Sequence, residues 1–151
     1  MDQRYLPAMN VSQSDQLQTL LTEWVHQSHE LRALALCGSW ARGDARADSD
    51  ADLLVLMRNP SQSTAQLIEN IAFERAGFKR QSLRWETYGV VQSAHITLHP
   101  NAELELSFAS INWASCAPID PGTRQVVTGG FKVLVDKDGL LNELLAALGT
   151  G

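Results

Sequence analysis

Two aspartates two residues apart, Asp50 and Asp52, lead directly into the apolar run Leu53-Leu54-Val55-Leu56-Met57. In an extended strand, side chains at i and i+2 point the same way, about 6–7 Å apart. Both carboxylates would therefore project from one face at the start of a strand. Held this close, they repel unless something positive lies between them. Mg²⁺ suits that task, because it favours oxygen ligands and is held by one or two carboxylates plus substrate phosphates. Upstream, Gly38-Ser39 ends a second apolar run, Leu34–Cys37. Glycine lets the backbone turn tightly and approach a ligand. A helix beginning at Ser39 would turn its free N–H groups and positive dipole end toward a triphosphate. The Ser39 hydroxyl adds a donor, and Arg42 lies one turn on. No Lys-Ser/Thr follows the glycine, so this is not a Walker loop. Together the two halves suit in-line attack at phosphorus, with metals bridging nucleophile, phosphates and leaving pyrophosphate.

Taken singly, Gly-Ser carries almost no information, and an Asp-x-Asp pair is usually a solvated turn. The order of the two and the apolar strands flanking them make the combination specific. The elements that must position it are legible in outline. Leu17, Leu20, Leu21, Trp24 and Val25 form one apolar stripe, so the periodicity predicts a first helix over about Ser14–Ser28, with Ser12 or Ser14 as N-cap. Leu34–Cys37 and Asp50–Met57 read as strands. Asn59-Pro60-Ser61 breaks the chain before a helix from about Ser63 to Ala76, whose stripe is Leu67, Ile68, Ile71 and Ala72. Val90–His99 and Ala102–Phe108 both alternate around Pro100-Asn101 and read as a hairpin. The tail predicts a short helix near Pro121–Val127, a strand Phe131–Val135 and a last helix Leu140–Leu148. Ile119–Arg124 and Asp136–Gly139 read as turns that start those helices. This succession implies an α/β (α+β) domain, a mixed β-sheet with helices packed on it.

The 151 residues point to a single domain spanning 1–151. The apolar runs are strand-sized, well short of the roughly 20 residues a membrane span needs, so no membrane role is expected. Met1–Asn10 lacks a basic segment followed by an apolar stretch, and a cytoplasmic protein is expected. The net charge is −5, from 12 Lys+Arg against 17 Asp+Glu. Arg42 and Arg46 are the nearest thing to a basic cluster, and acids surround them. That argues against long nucleic acid as the main partner, though not against a single nucleotide. Cys37 and Cys116 are too few and too far apart for a zinc site or a disulfide framework, and Cys37 reads as a buried, reduced thiol.

Gly38-Ser39, Ala41-Arg42-Gly43 and Ser49-Asp50-Ala51-Asp52-Leu53 resemble, without a gap, the signature of the polymerase β-like nucleotidyltransferase superfamily, in particular its minimal bacterial members. The resemblance is strong over about Leu34–Met57 and weaker elsewhere. It implies that Gly38 and Ser39 contact the triphosphate and that Asp50 and Asp52 bind metal. It also implies two Mg²⁺ ions, with Mn²⁺ as a substitute, and a third carboxylate on a later strand. Glu105, within Leu104-Glu105-Leu106-Ser107-Phe108, is the best candidate for that carboxylate. Alternation turns Leu104, Leu106 and Phe108 to the core and Glu103, Glu105 and Ser107 to the other side, which leaves Glu103 as its competitor.

If the hairpin turns at Pro100–Ala102, His99 lies opposite Glu103, Thr97 opposite Glu105 and His95 opposite Ser107, all on one face. His95 or His99 would then line the acceptor side and help deprotonate a hydroxyl. The expected activity moves a nucleoside monophosphate from a nucleoside triphosphate, ATP foremost, to a hydroxyl of a small molecule or a protein, releasing pyrophosphate. The alternative is an antitoxin-like interaction protein that binds, and in some relatives nucleotidylates, a helical toxin. Exposed Trp85, Tyr88 or Trp113 forming one apolar patch would favour such a protein partner.

Overall fold

A computed structural model describes residues 9–45, 50–59 and 64–149. Arg46 and Ser49 of the motif, the Pro60-Ser61 break, and Ser63 lie outside these described residues. The chain runs α1 (Val11–Gln27), β1 (Leu31–Cys37), α2 (Gly38–Arg42), β2 (Ala51–Met57), α3 (Thr64–Glu69), β3 (Lys79–Tyr88), β4 (Val91–His99), β5 (Ala102–Ser110), α4 (Pro121–Thr128), β6 (Phe131–Asp136) and α5 (Leu140–Ala147). One-turn 3₁₀ helices at Phe73–Ala76 and Ile111–Ala114 complete it. The six strands form one mixed sheet in the order β3-β4-β5-β2-β1-β6. Only β2 and β5 run parallel; the other neighbours are antiparallel.

Both sheet faces are apolar at the centre, and that decides where helices pack. On one face Leu34, Leu36, Leu53, Val55, Leu104, Leu106 and Phe108 meet α1 through Leu17, Leu21, Trp24 and Val25. Leu67 and Ile68 of α3 join them, and Trp24 Nε1 donates to the Leu67 carbonyl at 3.0 Å. On the other face Ala33, Ala35, Leu54, Leu56 and Ala109 pack against Ala114, Val127, Leu141 and Leu144. That second cover stops short of β3 and β4, which present Arg84, Glu86, His95 and Thr97 on the same side. The uncovered half of this face is where the acidic residues lie.

Several boundaries differ from the sequence reading. α1 begins at Val11 rather than Ser14, because Asn10 and Gln13 form a reciprocal capping box (Gln13 N–H to Asn10 Oδ1, 2.8 Å; Asn10 N–H to Gln13 Oε1, 3.0 Å). Ser12 and Ser14 are therefore inside the helix, not at its cap. β1 starts three residues before Leu34, at Leu31. The single helix expected to Ala76 ends at Glu69, where Asn70 and Ile71 turn on i→i+3 bonds to Leu67 and Ile68. β3 was not anticipated as a strand at all. In the tail, Asp120 caps α4 by accepting from the Gly122 and Thr123 amides (2.8 and 3.2 Å), and Asp136 accepts from the Leu141 and Asn142 amides of α5.

Candidate active site

Cross-strand register brings the acids together. Asp52 on β2 lies directly beside Glu105 on the parallel strand β5, with Cys37 of β1 on its other side. Beyond Glu105, β4 contributes His95, and beyond that β3 contributes Arg84. One row across five strands therefore reads Arg84–His95–Glu105–Asp52–Cys37. The β4–β5 hairpin differs from the expected register by two residues: Leu98 faces Ala102, Thr97 faces Glu103 and His95 faces Glu105. Between the last pair, Leu98 and Ala102, the loop is His99-Pro100-Asn101, one position earlier than Pro100–Ala102. A slip of two keeps every side chain on its expected face but changes its partner. His95 Nε2 stands 3.3 Å from Glu105 Oε1 and 3.7 Å from Glu86 Oε1, buried and without a well-directed hydrogen bond. His99 lies exposed at the turn, opposite Lys79, and is not brought to Glu105.

The carboxylates stand in two pairs. Asp52 is half-buried and hydrogen-bonds Glu105. Burial above all, then Glu105 and finally Asp50 push the Asp52 carboxyl up to about 7. Glu103 is more exposed; its hydrogen bond with Asp50, with burial second, raises it as well. Burial and the neighbouring Asp52 push the Cys37 thiol up to about 12, so it stays a neutral, unreactive wall. Among the described residues no three His, Cys, Asp or Glu side chains converge on a single metal position. The donor chemistry nonetheless fits a hard divalent cation: carboxylate oxygens set side by side, whose mutual repulsion a cation would relieve. Carboxylates alone would not complete the shell of such an ion, which leaves positions to substrate oxygens and water.

Gly38 begins α2 with φ +70°, and a Cβ there would sit 3.3 Å from Asp52 Oδ2. The bare backbone is what lets this turn lie against the acid. Its amide donates to the Gly130 carbonyl at 3.0 Å, which ties the turn to the one between α4 and β6. Arg42 is engaged nearby: Nη1 donates to the Gly129 carbonyl and Nε pairs with Asp44 Oδ2 at 3.1 Å. Sequence reasoning missed Gly130. At φ +117°, a Cβ on it would meet Arg42 Cγ at 2.6 Å and the Gly38 oxygen at 2.7 Å. Gly130→Ala is expected to cost about 2–3 kcal/mol, seen as a fall in Tm of roughly 5–10 °C for a domain this size.

Sequence reasoning also missed a cleft of about 300 Å³ that starts at Asp52 and Glu105 and runs over Leu54 and Ser107. Its walls include Tyr88, Val91, Trp113 and Val126, contributed by four separate segments. Clefts of similar size beside α1 and beside Phe78 have mixed charged, polar and apolar linings and reach neither carboxylate pair.

Strand order, the Gly-Ser turn and the acids on neighbouring strands define a polymerase β-like nucleotidyltransferase fold. The sequence profile of the nucleotidyltransferase-domain family matches residues 17–120. The chain belongs to that family. No curated protein matches it. Among solved structures it is similar to one described as a cytoplasmic RNA terminal U-transferase, at 19% identity and a TM-score of 0.43, over 70% of this chain and 31% of that one. The chain thus spans about a third of that structure's length. Among the described residues, no helix is long and apolar enough to cross a membrane.

Proposed function

We propose that the chain transfers a nucleoside monophosphate from a nucleoside triphosphate, ATP foremost, to the hydroxyl of a small molecule and releases pyrophosphate. The observation that carries this reading is the direct pairing of Asp52 with Glu105 beside the Gly38 turn. Asp50, Asp52 and Glu105 would hold two Mg²⁺ ions, or Mn²⁺ in their place. Such ions neutralise phosphate charge and lower the cost of forming the attacking oxygen. Gly38 and Ser39 would seat the β- and γ-phosphates. Arg42, placed beside that turn by the Gly129 carbonyl, would orient them. Of the two histidines, the reading assigns His95 to the acceptor side, because it is the one against Glu105. Glu103, paired with Asp50 and more exposed, would remain outside the metal set. Free nucleotide and Mg²⁺ make the cytoplasm the compartment this chemistry calls for.

The interaction-protein alternative gains nothing from the aromatic residues. Trp85 packs on Phe108 on the α1 side of the sheet, whereas Trp113 stacks on Phe131 on the opposite side. The two tryptophans share no patch, and Tyr88 lies with Trp113 in the cleft beside Asp52 and Glu105.

Thermal unfolding with Mg²⁺ and each nucleoside triphosphate tests the proposal. A ligand at 100 times its Kd adds about 2.7 kcal/mol. A metal-dependent rise of roughly 5–10 °C is expected for at least one nucleotide, and its absence in the Asp50→Asn/Asp52→Asn double variant. No rise with any of the four would sink the reading.

A further inference from the structure

The cleft beyond Asp52 and Glu105 has a composition that says what it is built to hold. Tyr88 and Trp113 supply two aromatic walls, and Val91 and Val126 supply aliphatic ones. Trp113 is fixed from behind by stacking on Phe131, with ring centroids 6.3 Å apart and planes 19° from parallel. The Tyr88 hydroxyl donates to Glu86, which anchors its ring at the rim. On the floor, the Ser93 and Ser107 hydroxyls bond each other at 2.8 Å. Among the described residues, no lysine or arginine lines the cleft, and its only acids are Asp52 and Glu105. Such a lining gives no counter-ion to an anionic chain and offers a flat apolar ring two surfaces to stack on. Its volume is at the small end for a ligand site, enough for one or two fused rings.

Its position decides which substrate the ring belongs to. Because β1 runs antiparallel to β2 with Cys37 opposite Asp52, Gly38 and Ser39 lie off the start of β2. The cleft leaves the two acids in the other direction, toward Leu54 and Ser107. In-line displacement at phosphorus puts the incoming oxygen opposite the departing group. With pyrophosphate over Gly38-Ser39, the nucleophile enters from the cleft.

We infer that this cleft is the acceptor pocket and that the acceptor is a small, uncharged, aromatic hydroxyl compound of one or two rings. The inference rests on the nucleotidyl-transfer reading above. The hydroxyl oxygen bonds to the α-phosphorus, and the bond from that phosphorus to its bridging oxygen breaks. Pyrophosphate leaves with the electron pair, and the hydroxyl proton passes to water. Trp113 and Tyr88 would then set acceptor specificity.

The probe for the pocket is 2-naphthol, followed by tryptophan fluorescence and by pyrophosphate release with Mg²⁺ and the nucleotide that raises Tm most. Saturable quenching is expected, undiminished when the nucleotide is already bound. Pyrophosphate release should rise at least tenfold over that with water alone, and 2-naphthol should be recovered carrying the nucleoside monophosphate. Val126→Trp, at an exposed position on the rim, should weaken 2-naphthol at least tenfold while still unfolding cooperatively. A nucleotide-dependent Tm rise without 2-naphthol binding overturns the acceptor assignment and leaves the transfer reading standing. Competition between nucleotide and 2-naphthol makes the cleft the nucleobase's pocket and overturns it too, as does stimulation by glucosamine in place of 2-naphthol. Failure of the nucleotide arm itself overturns both.

Discussion

Asp52→Asn is expected to lower metal-dependent pyrophosphate release on the order of 10³-fold, about 4 kcal/mol of barrier, and also to change how stability depends on pH. The activity loss follows from removing the carboxylate that sits between Asp50 and Glu105. The stability effect follows from the direction of its proton equilibrium. Folding raises the Asp52 carboxyl from its ordinary 3.8 to about 7, so the folded state binds that proton more tightly than the unfolded one. Its contribution is fully present below the unfolded value and is lost as pH climbs from about 4 through 7. The metal-free wild type should therefore lose stability relative to Asp52→Asn across that window and run parallel to it above. Mg²⁺ should restore the wild type alone. Because the cation must displace a proton, its apparent affinity should fall up to tenfold for each pH unit below 7. Paired melts at pH 5 and 8, with and without Mg²⁺, read both effects. Parallel wild-type and variant curves throughout would refute this account of the acid pair.

Glu105→Gln is expected to cost activity nearly as much, at least 10²-fold, whereas Glu103→Gln should stay within about fivefold of wild type. The two glutamates share a strand and a face, so composition and alternation do not separate them. Register does: Glu105 is the direct neighbour of Asp52, and His95 backs it from the next strand. Glu103 reaches only Asp50 and is more exposed. Neither variant is expected to unfold the protein, because each replaces a partly exposed carboxyl by a neutral amide of equal size. Steady-state pyrophosphate release across the pair checks the ranking, and a larger loss in Glu103→Gln would exchange their roles.

How much of this was legible beforehand follows from the range of each interaction. Gly38-Ser39 and Asp50-x-Asp52 could be read because glycine punctuation and acids beside an apolar run are local signals. The inward turn of Leu104, Leu106 and Phe108 followed from period-two alternation alone, and the structure has it. Partner identities did not follow, since a hairpin's register depends on where its turn closes, and this turn lies one residue earlier than expected. β3 escaped notice because an edge strand of the composition Lys-Arg-Gln-Ser-Leu-Arg-Trp-Glu-Thr-Tyr has little apolar alternation; its charges suit an edge exposed to solvent. Gly130, Trp113 and Val126 act on residues dozens of positions away, and no spacing rule links them to Gly38 or Asp52.

The placement of β6 has a practical consequence for anyone cutting the chain. The family match stops at residue 120, yet β1 lies between β2 and β6, and Leu34 and Ala35 on it are wholly buried. A fragment ended where the match ends would keep every acidic side chain of the candidate site and lose one flank of β1. It would bare the edge of β1 along Ala33–Cys37, with apolar side chains on both faces, an open template for a neighbouring copy. Such a fragment should recruit itself into aggregates, and the segment after residue 120 is better regarded as the seam that closes the sheet than as an appendage to it.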